Sequence, residues 1–305
     1  MNAINKILLL LDRQPPAPEL LVKIVLLAKK YGAKVELFEC CYSRSLLSSH
    51  LFDKEGAERA KLSYLGAEEK QLARIADQLI EAGVEAAADV AWEADVEQGC
   101  LVKIARFKPD LVVKSCRFHH RLAEHLFGNL DWQLIRHCPV PLLLVRPKPW
   151  SSSPVVVTSL DPLQEKHHPI SLDDQVLRAG EALVAHIGGV LHLFHCYHTI
   201  PTSVVFDDTS MLNYEQMRTK LAEDHRLAMA DLLNGHGLAK AEATVHLAHG
   251  EVHKELPEYA DQMNADLVVM GGIDRSGSER LFIGSTTEKV LDHLEADVLV
   301  IRAGD

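Results

Sequence analysis

The chain has 305 residues, 47% of them hydrophobic, and a formal net charge of -11. That length suffices for two domains of ordinary size, each with its own core. The acidic balance argues against nucleic acid as a general partner, and no run approaches the length of a transmembrane helix.

Residues 7–11 form an apolar run that is too short for a signal-peptide core and is broken by Asp12. It predicts a buried first strand, and secretion is not expected. A helix follows over about 19–31, with Leu20, Leu21, Ile24, Val25 and Leu27 on its apolar side and Gly32 as its stop. A strand over 35–40 leads to an irregular stretch, 42–58, and then a long helix to about Ala82. A third strand (86–92), a helix (96–107), a strand (111–114), a loop, a helix (131–137) and a strand (141–145) complete the first half. Strands alternating with helices imply right-handed crossovers and a parallel sheet.

Residues 147–154, rich in proline and serine, read as a linker. The second half then repeats the plan. Strand 155–160 ends at Asp161, and a helix (172–187) stops at Gly188 and Gly189. A strand over 190–196 is followed by a long crossover (198–214) and a helix (215–233). A strand (243–247), a helix (254–263), a strand (266–270), a glycine-bearing loop, a helix (286–294) and a strand (298–302) close the chain. The expected domains are therefore 1–148 and 154–305.

The two halves are an internal repeat. KVELFEC from Lys34 parallels VLHLFHC from Val190, and PDLVV from Pro109 parallels ADLVV from Ala265. A period near 150 residues means duplicated domains, because solenoid repeats span only about 20–50 residues. Charge is unequal between the copies. Residues 1–150 carry 21 basic and 19 acidic side chains, whereas residues 151–305 carry 11 and 24. This asymmetry reads either as surface solvation or as divergence in what the halves bind.

The stretch from Asp266 concentrates the candidate chemistry. Met270 ends an apolar strand, Gly271 and Gly272 follow, and Gly284 precedes Ser285, Thr286, Thr287 and Glu288. Ser285 as N-cap and Glu288 three residues on would form a capping box. A helix opening after glycine presents free N–H groups, a seat for phosphate. This pattern resembles the G-x2-G-x9-G-[ST] nucleotide loop of the universal stress proteins. The resemblance implies two tandem doubly wound α/β domains, each a five-stranded parallel sheet of order 3-2-1-4-5. It implies ATP at Asp161, Met270, Gly271, Gly284, Ser285, Thr286 and Thr287. One departure stands out: Asp274 occupies the place of the second glycine, where a carboxylate would face the phosphates. Gly272 and Gly277 keep the loop flexible without filling that place, and Arg275 and Arg280 could offset that charge.

The first copy has lost the motif. Its frame puts Ser115, Phe118, Gly128 and Asn129 at the four key places, within a cationic loop that starts at Lys114 and includes Arg117, His119, His120 and Arg121, with His125 further on. Side chains there could hold an anion, or the loop is an exposed basic surface. Asp12, like Asp161, ends a first strand at the sheet edge where ligands of this fold sit; each is a ligand contact or a turn residue. The run DWQLIRHCPV from Asp131, with Trp150 beyond the closing strand, is similar to the junction of tandem members of the family. The resemblance also implies that the two domains pair through the closing strands 141–145 and 298–301, as an intramolecular pseudo-dimer.

Other clusters are weaker. His192, Cys196 and His198 share one strand face and His195 the other, so four ligands do not converge and no metal is expected. Cys40, Cys41, Cys100, Cys116, Cys138 and Cys196 contain no C-x-x-C and lie beside apolar runs, which suits free thiols in a reducing cytoplasm. No nucleophile–base pattern emerges, so an enzyme is not expected. The expected function is a cytoplasmic stress-response protein with an adenine-nucleotide switch in its second domain. The alternatives are a module whose clefts hold an apolar or amphipathic ligand, lined by the crossovers 42–58 and 198–214, and an interaction scaffold without a small ligand.

Overall fold

Strands of apolar residues, each followed by an amphipathic helix, build two α/β units in the computed structural model. It describes residues 4–12, 14–47, 53–116, 129–163, 172–198, 208–237, 243–272 and 285–302. The chain parts between Trp150 and Ser151.

In the first unit the elements are β1 (Lys6–Leu10), α1 (Pro18–Tyr31), β2 (Lys34–Cys41), α2 (Lys54–Glu81), β3 (Ala86–Trp92), α3 (Val96–Phe107), β4 (Leu111–Ser115), α4 (Asn129–His137) and β5 (Leu142–Val145). The second unit comprises β6 (Val155–Ser159), α5 (Leu172–Ile187), β7 (Val190–Tyr197), α6 (Asp208–His236), β8 (Thr244–His249), α7 (Val252–Gln262), β9 (Leu267–Gly271), α8 (Ser285–His293) and β10 (Asp297–Ile301). Strand order is β3-β2-β1-β4-β5 in the first unit and β8-β7-β6-β9-β10 in the second. The pairings within each unit are parallel. The expected 3-2-1-4-5 order is therefore present twice. The central strands are buried along their length, as a parallel sheet covered on both faces requires.

Local chemistry explains most boundaries. Gly32 adopts a left-handed φ of 67° and ends α1. Asp53 and Asp95 cap α2 and α3, each accepting a backbone N–H from three residues on. The α2 helix thus starts five residues before the expected stretch ends, because the Asp53 cap supplies its first turn. The α6 helix begins at Asp208, inside the expected crossover. Thr, Ser and Asn in its first turns suggest a loop, but no Gly or Pro interrupts 208–234, and propagation is cheap once a helix is nucleated. The α8 helix begins at Ser285, one residue early, so Ser285 is its first helical residue and not its N-cap. On α1, Leu20, Ile24 and Leu27 are buried as expected, while Leu21 and Val25 are only half-buried. Lys23 takes a buried place instead: its Nζ donates to Arg146 O at 3.1 Å and lies 5.4 Å from the Trp150 ring centre.

The repeated aspartate of PDLVV and ADLVV has the same task in both units. Asp110 Oδ2 accepts N–H groups of Asn5 and Lys6 at 2.8 and 2.9 Å. Asp266 accepts from Val155 N and Ser151 N at 2.9 Å, and from Ser151 Oγ at 2.7 Å. Each carboxylate ties the entry of the unit's first strand to the start of its fourth.

Candidate functional site

In both units the first strand ends beside the fourth, and the residues just beyond them meet at one sheet edge. Superposing the register of β4 on β9 and of β1 on β6 pairs Lys114 with Met270, Ser115 with Gly271 and Asp12 with Asp161. The helix starts, Asn129 and Ser285, pair Asp131 with Thr287. Along β2 and β7, Glu39 matches His195.

The first unit holds a cavity of about 470 Å³ at this edge. Leu10, Leu11, Val96, Leu130 and Tyr42 give it apolar walls, and Asp12, Glu39 and Lys114 face it. The Lys114 ammonium is buried between Asp131 Oδ1 at 2.9 Å and Asp12 Oδ2 at 3.5 Å, and donates to Ser115 O at 3.2 Å. Burial works against the ammonium, but Asp131 and Asp12 outweigh it and raise its pKa above that of free lysine. Glu39 is 1% exposed. Three carboxyl groups thus stand against one ammonium among the described residues. Phe118 and Gly128, with the cationic stretch 117–128, lie outside those residues.

The second unit has a different inventory. Met270 is buried and uncharged where the first unit has a lysine. Asp161 lies just beyond β6, and its N–H donates to Asp173 Oδ1 at 2.7 Å, which fixes the turn against the start of α5. Ser285, Thr286 and Thr287 open α8. Gly284, Asp274, Arg275, Gly277 and Arg280 lie outside the described residues. Gly271 and Gly272 have no left-handed φ. A Cβ on Gly271 would sit 2.6 Å from Leu172 Cδ2, and one on Gly272 would sit 2.4 Å from Val300 Cγ1. Neither glycine uses a left-handed conformation, and a Cβ at either would press on a neighbouring side chain. The donor set at the start of α8 fits a phosphate by its chemistry: backbone N–H groups of a helix N-terminus and three hydroxyl-bearing residues in a row.

Sequence reasoning missed a histidine relay beside Asp161. His195 is 1% exposed. Its Nδ1 lies 2.9 Å from Leu160 O, and its Nε2 lies 2.7 Å from His225 Nδ1. A carbonyl only accepts, so His195 Nδ1 carries the hydrogen and Nε2 accepts from His225. Tyr197 stacks on His225 at 4.5 Å and on His195 at 6.2 Å, and contacts His249 edge-on. On the opposite face of β7, His192 Nδ1 meets Tyr259 Oη at 2.8 Å, and His246 stacks on Tyr259 at 4.2 Å. No sequence spacing connects His225, on α6, with His195; only the packing of α6 on β7 does. Among the described residues, no cluster of three or more metal-ligating side chains forms.

Burial holds the pKa of both His192 and His225 below the ordinary histidine range; for His225 the neighbouring His195 adds to this, and Asp161 and Asp224 oppose it. Both bind protons less readily when folded, so the unfolded chain holds more protons just below about pH 6.5. The stability they confer is present above that pH and is lost as pH falls through the depressed values. Thermal denaturation is expected to give a lower melting temperature for the second unit at about pH 5.5 than at pH 7.5. His225→Gln keeps a donor towards His195 without titrating, and should flatten part of that slope.

Four of the six thiols are poor nucleophiles. Burial raises Cys40 and Cys196 to about 11, and Cys41 and Cys100 to about 12, so all four are protonated at neutral pH.

Two domain-sized matches decide the family. The model of the universal stress protein family matches residues 3–146 and again 170–302. The chain belongs to the universal stress protein family. Universal stress protein E of Photorhabdus laumondii is 25% identical over 98% of this chain and 95% of its own length. The Escherichia coli K12 protein of that name is 24% identical over 99% and 95%. Among solved structures, a functionally unknown protein from Pseudomonas aeruginosa PAO1 has a TM-score of 0.75 at 20% identity, covering 99% of this chain and 94% of that one. A universal stress protein from Archaeoglobus fulgidus has a TM-score of 0.67 at 19% identity, covering 99% and 97%. These structures share the tandem fold. No described helix is long and apolar enough to cross a membrane.

Proposed function

We propose that the chain is a cytoplasmic stress-response protein whose second unit binds an adenine nucleotide as a regulatory switch, without catalysis. One observation carries the reading: among the described residues, the ionic filling of the first cleft has no counterpart at the matching positions of the second. Asp12, Glu39, Asp131 and Lys114 of the first unit correspond to Asp161, His195, Thr287 and Met270. Replacing two carboxyl groups by a histidine and a hydroxyl removes local negative charge where phosphates would lie. The second half is the more acidic overall, but charges beyond about 8–10 Å are screened at physiological salt, so the cleft's own residues weigh more. Asp161 would meet the nucleoside. The first turn of α8, from Ser285 to Thr287, would hold phosphates.

Calorimetric titration with ATP and Mg²⁺ tests this. Saturable binding near one site per chain is expected. Thr287→Asp should weaken it by about tenfold or more, because an uncompensated acid then stands in the first turn of the phosphate helix. A native protein that does not bind while Asp274→Gly does would mark a lapsed site and overturn the switch, as would a Thr287→Asp variant that binds ATP undiminished.

A further inference from the structure

We propose that the His195–His225 pair makes nucleotide binding by the second unit proton-dependent: one proton taken up at His225 tightens the hold on a phosphate-bearing ligand. This rests on the nucleotide reading of that cleft and adds its regulation.

The geometry admits one proton without rearrangement, and not two. His195 Nδ1 donates to Leu160 O at 2.9 Å, so its Nε2 accepts the hydrogen carried by His225 Nδ1 at 2.7 Å. His225 Nε2 is then the atom of the pair that takes a proton, and the imidazolium formed keeps donating from Nδ1, so the bridge survives. A second proton would need His195 Nε2, where it would face the His225 N–H and break the bridge. His195 is buried and His225 half-buried, so the proton enters from the His225 side.

The bridge also fixes where the charge appears. Its two hydrogen bonds lead from His225 through His195 to Leu160, the residue before Asp161. The groups facing the pair are Asp161 beyond β6, Tyr197 on β7, His249 on β8 behind Tyr197, and Asp224 on α6. Burial and His195 oppose the proton, Asp161 and Asp224 favour it, and the balance holds His225 below the ordinary histidine range. His225 is therefore mainly uncharged at neutral pH. Phosphates add negative charge at the same sheet edge and tip that balance towards the proton. The coupling is reciprocal: what the nucleotide adds to proton affinity, the proton adds to nucleotide affinity. Because the ligand raises the pKa of His225, the extra affinity is complete below the ligand-free value and is lost as pH rises through the ligand-bound one. The first unit has Glu39 in place of His195, so this imidazole pair belongs to the second unit alone among the described residues.

Calorimetric titration with ATP and saturating Mg²⁺, at about pH 6 in two buffers of unequal ionisation enthalpy, counts the protons; uptake of about half a proton per ATP is expected, with binding about threefold tighter than at pH 7.5. Histidine ring NMR of the wild type, followed against pH with and without ATP, should show the His225 titration move upward on binding. His225→Gln, with its fold checked by melting at pH 7.5, should bind ATP there within about twofold of the wild type and lose both the uptake and the pH dependence, which also subtracts any protons carried by the ligand itself. ATP binding with no uptake, with proton release, with weaker affinity at the lower pH, with a His225 titration that ATP does not move, or with uptake unchanged in His225→Gln would overturn the proposal and leave the nucleotide reading standing. No saturable ATP binding at either pH would overturn both.

Discussion

Lys114→Met is expected to destabilise the first unit by about 3–5 kcal/mol, the cost of leaving a buried carboxylate without its cation. The Lys114 and Asp131 side chains are 6% and 5% exposed, and their 2.9 Å pair lies inside the sheet edge. The substitution itself is close to volume-conserving, so packing contributes little. The penalty comes from Asp131, which must be desolvated as an anion or protonated. Adding Asp131→Thr should restore most of the loss, because the double variant reproduces the uncharged pair Met270 and Thr287 that the second unit uses at the same register. Denaturant unfolding of the wild type, both single variants and the double variant closes a double-mutant cycle. A double variant as unstable as Lys114→Met would mean that the lysine acts through contacts other than Asp131.

Asp266→Ala is expected to cost the second unit about 3 kcal/mol. Three hydrogen bonds converge on this 8%-exposed carboxylate, two from backbone N–H groups and one from Ser151 Oγ. Charge-assisted bonds each contribute about 1.5–3 kcal/mol, and the donors left behind are partly buried. Asp266→Asn retains acceptor capacity at one oxygen and should lose about half as much. Calorimetric melting checks both variants. The lower-melting transition should carry the effect if the units unfold separately, and a loss below about 0.5 kcal/mol would show that water replaces the carboxylate at this junction.

The contrast between these aspartates shows how far the chain was legible. Asp266 and Asp110 sit in an obvious repeat, and the repeat encodes a structural clamp, the same in both copies. Asp131 sits in a stretch that resembles the junction of tandem family members, and its partner Lys114 is only 17 residues upstream, yet nothing in that spacing pairs them. Trp150 lies over the ammonium of Lys23, a polar side chain on the same α1 stripe as Leu20, Ile24 and Leu27. The glycines of the second unit were legible as positions, but that Leu172 packs on Gly271 was not. Periodicity reports which face of an element is apolar. It does not report which polar side chains will be brought inside, because that depends on partners donated by distant strands.

By itself the sequence determined the duplication, the alternating strand–helix plan and the family. These follow from local patterns: continuous apolar strands, amphipathic helices, glycine stops and a shared loop motif, each encoded within a few turns of chain. Only the tertiary structure decided what fills each cleft. Burial makes an unpaired charge costly, so Lys114 is tolerable only where β1 and α4 bring Asp12 and Asp131 to it. His195 is tolerable in the core only where Leu160 O and His225 satisfy both ring nitrogens. The two copies therefore share a fold written in their hydrophobic pattern and differ at a site defined by long-range electrostatic pairing.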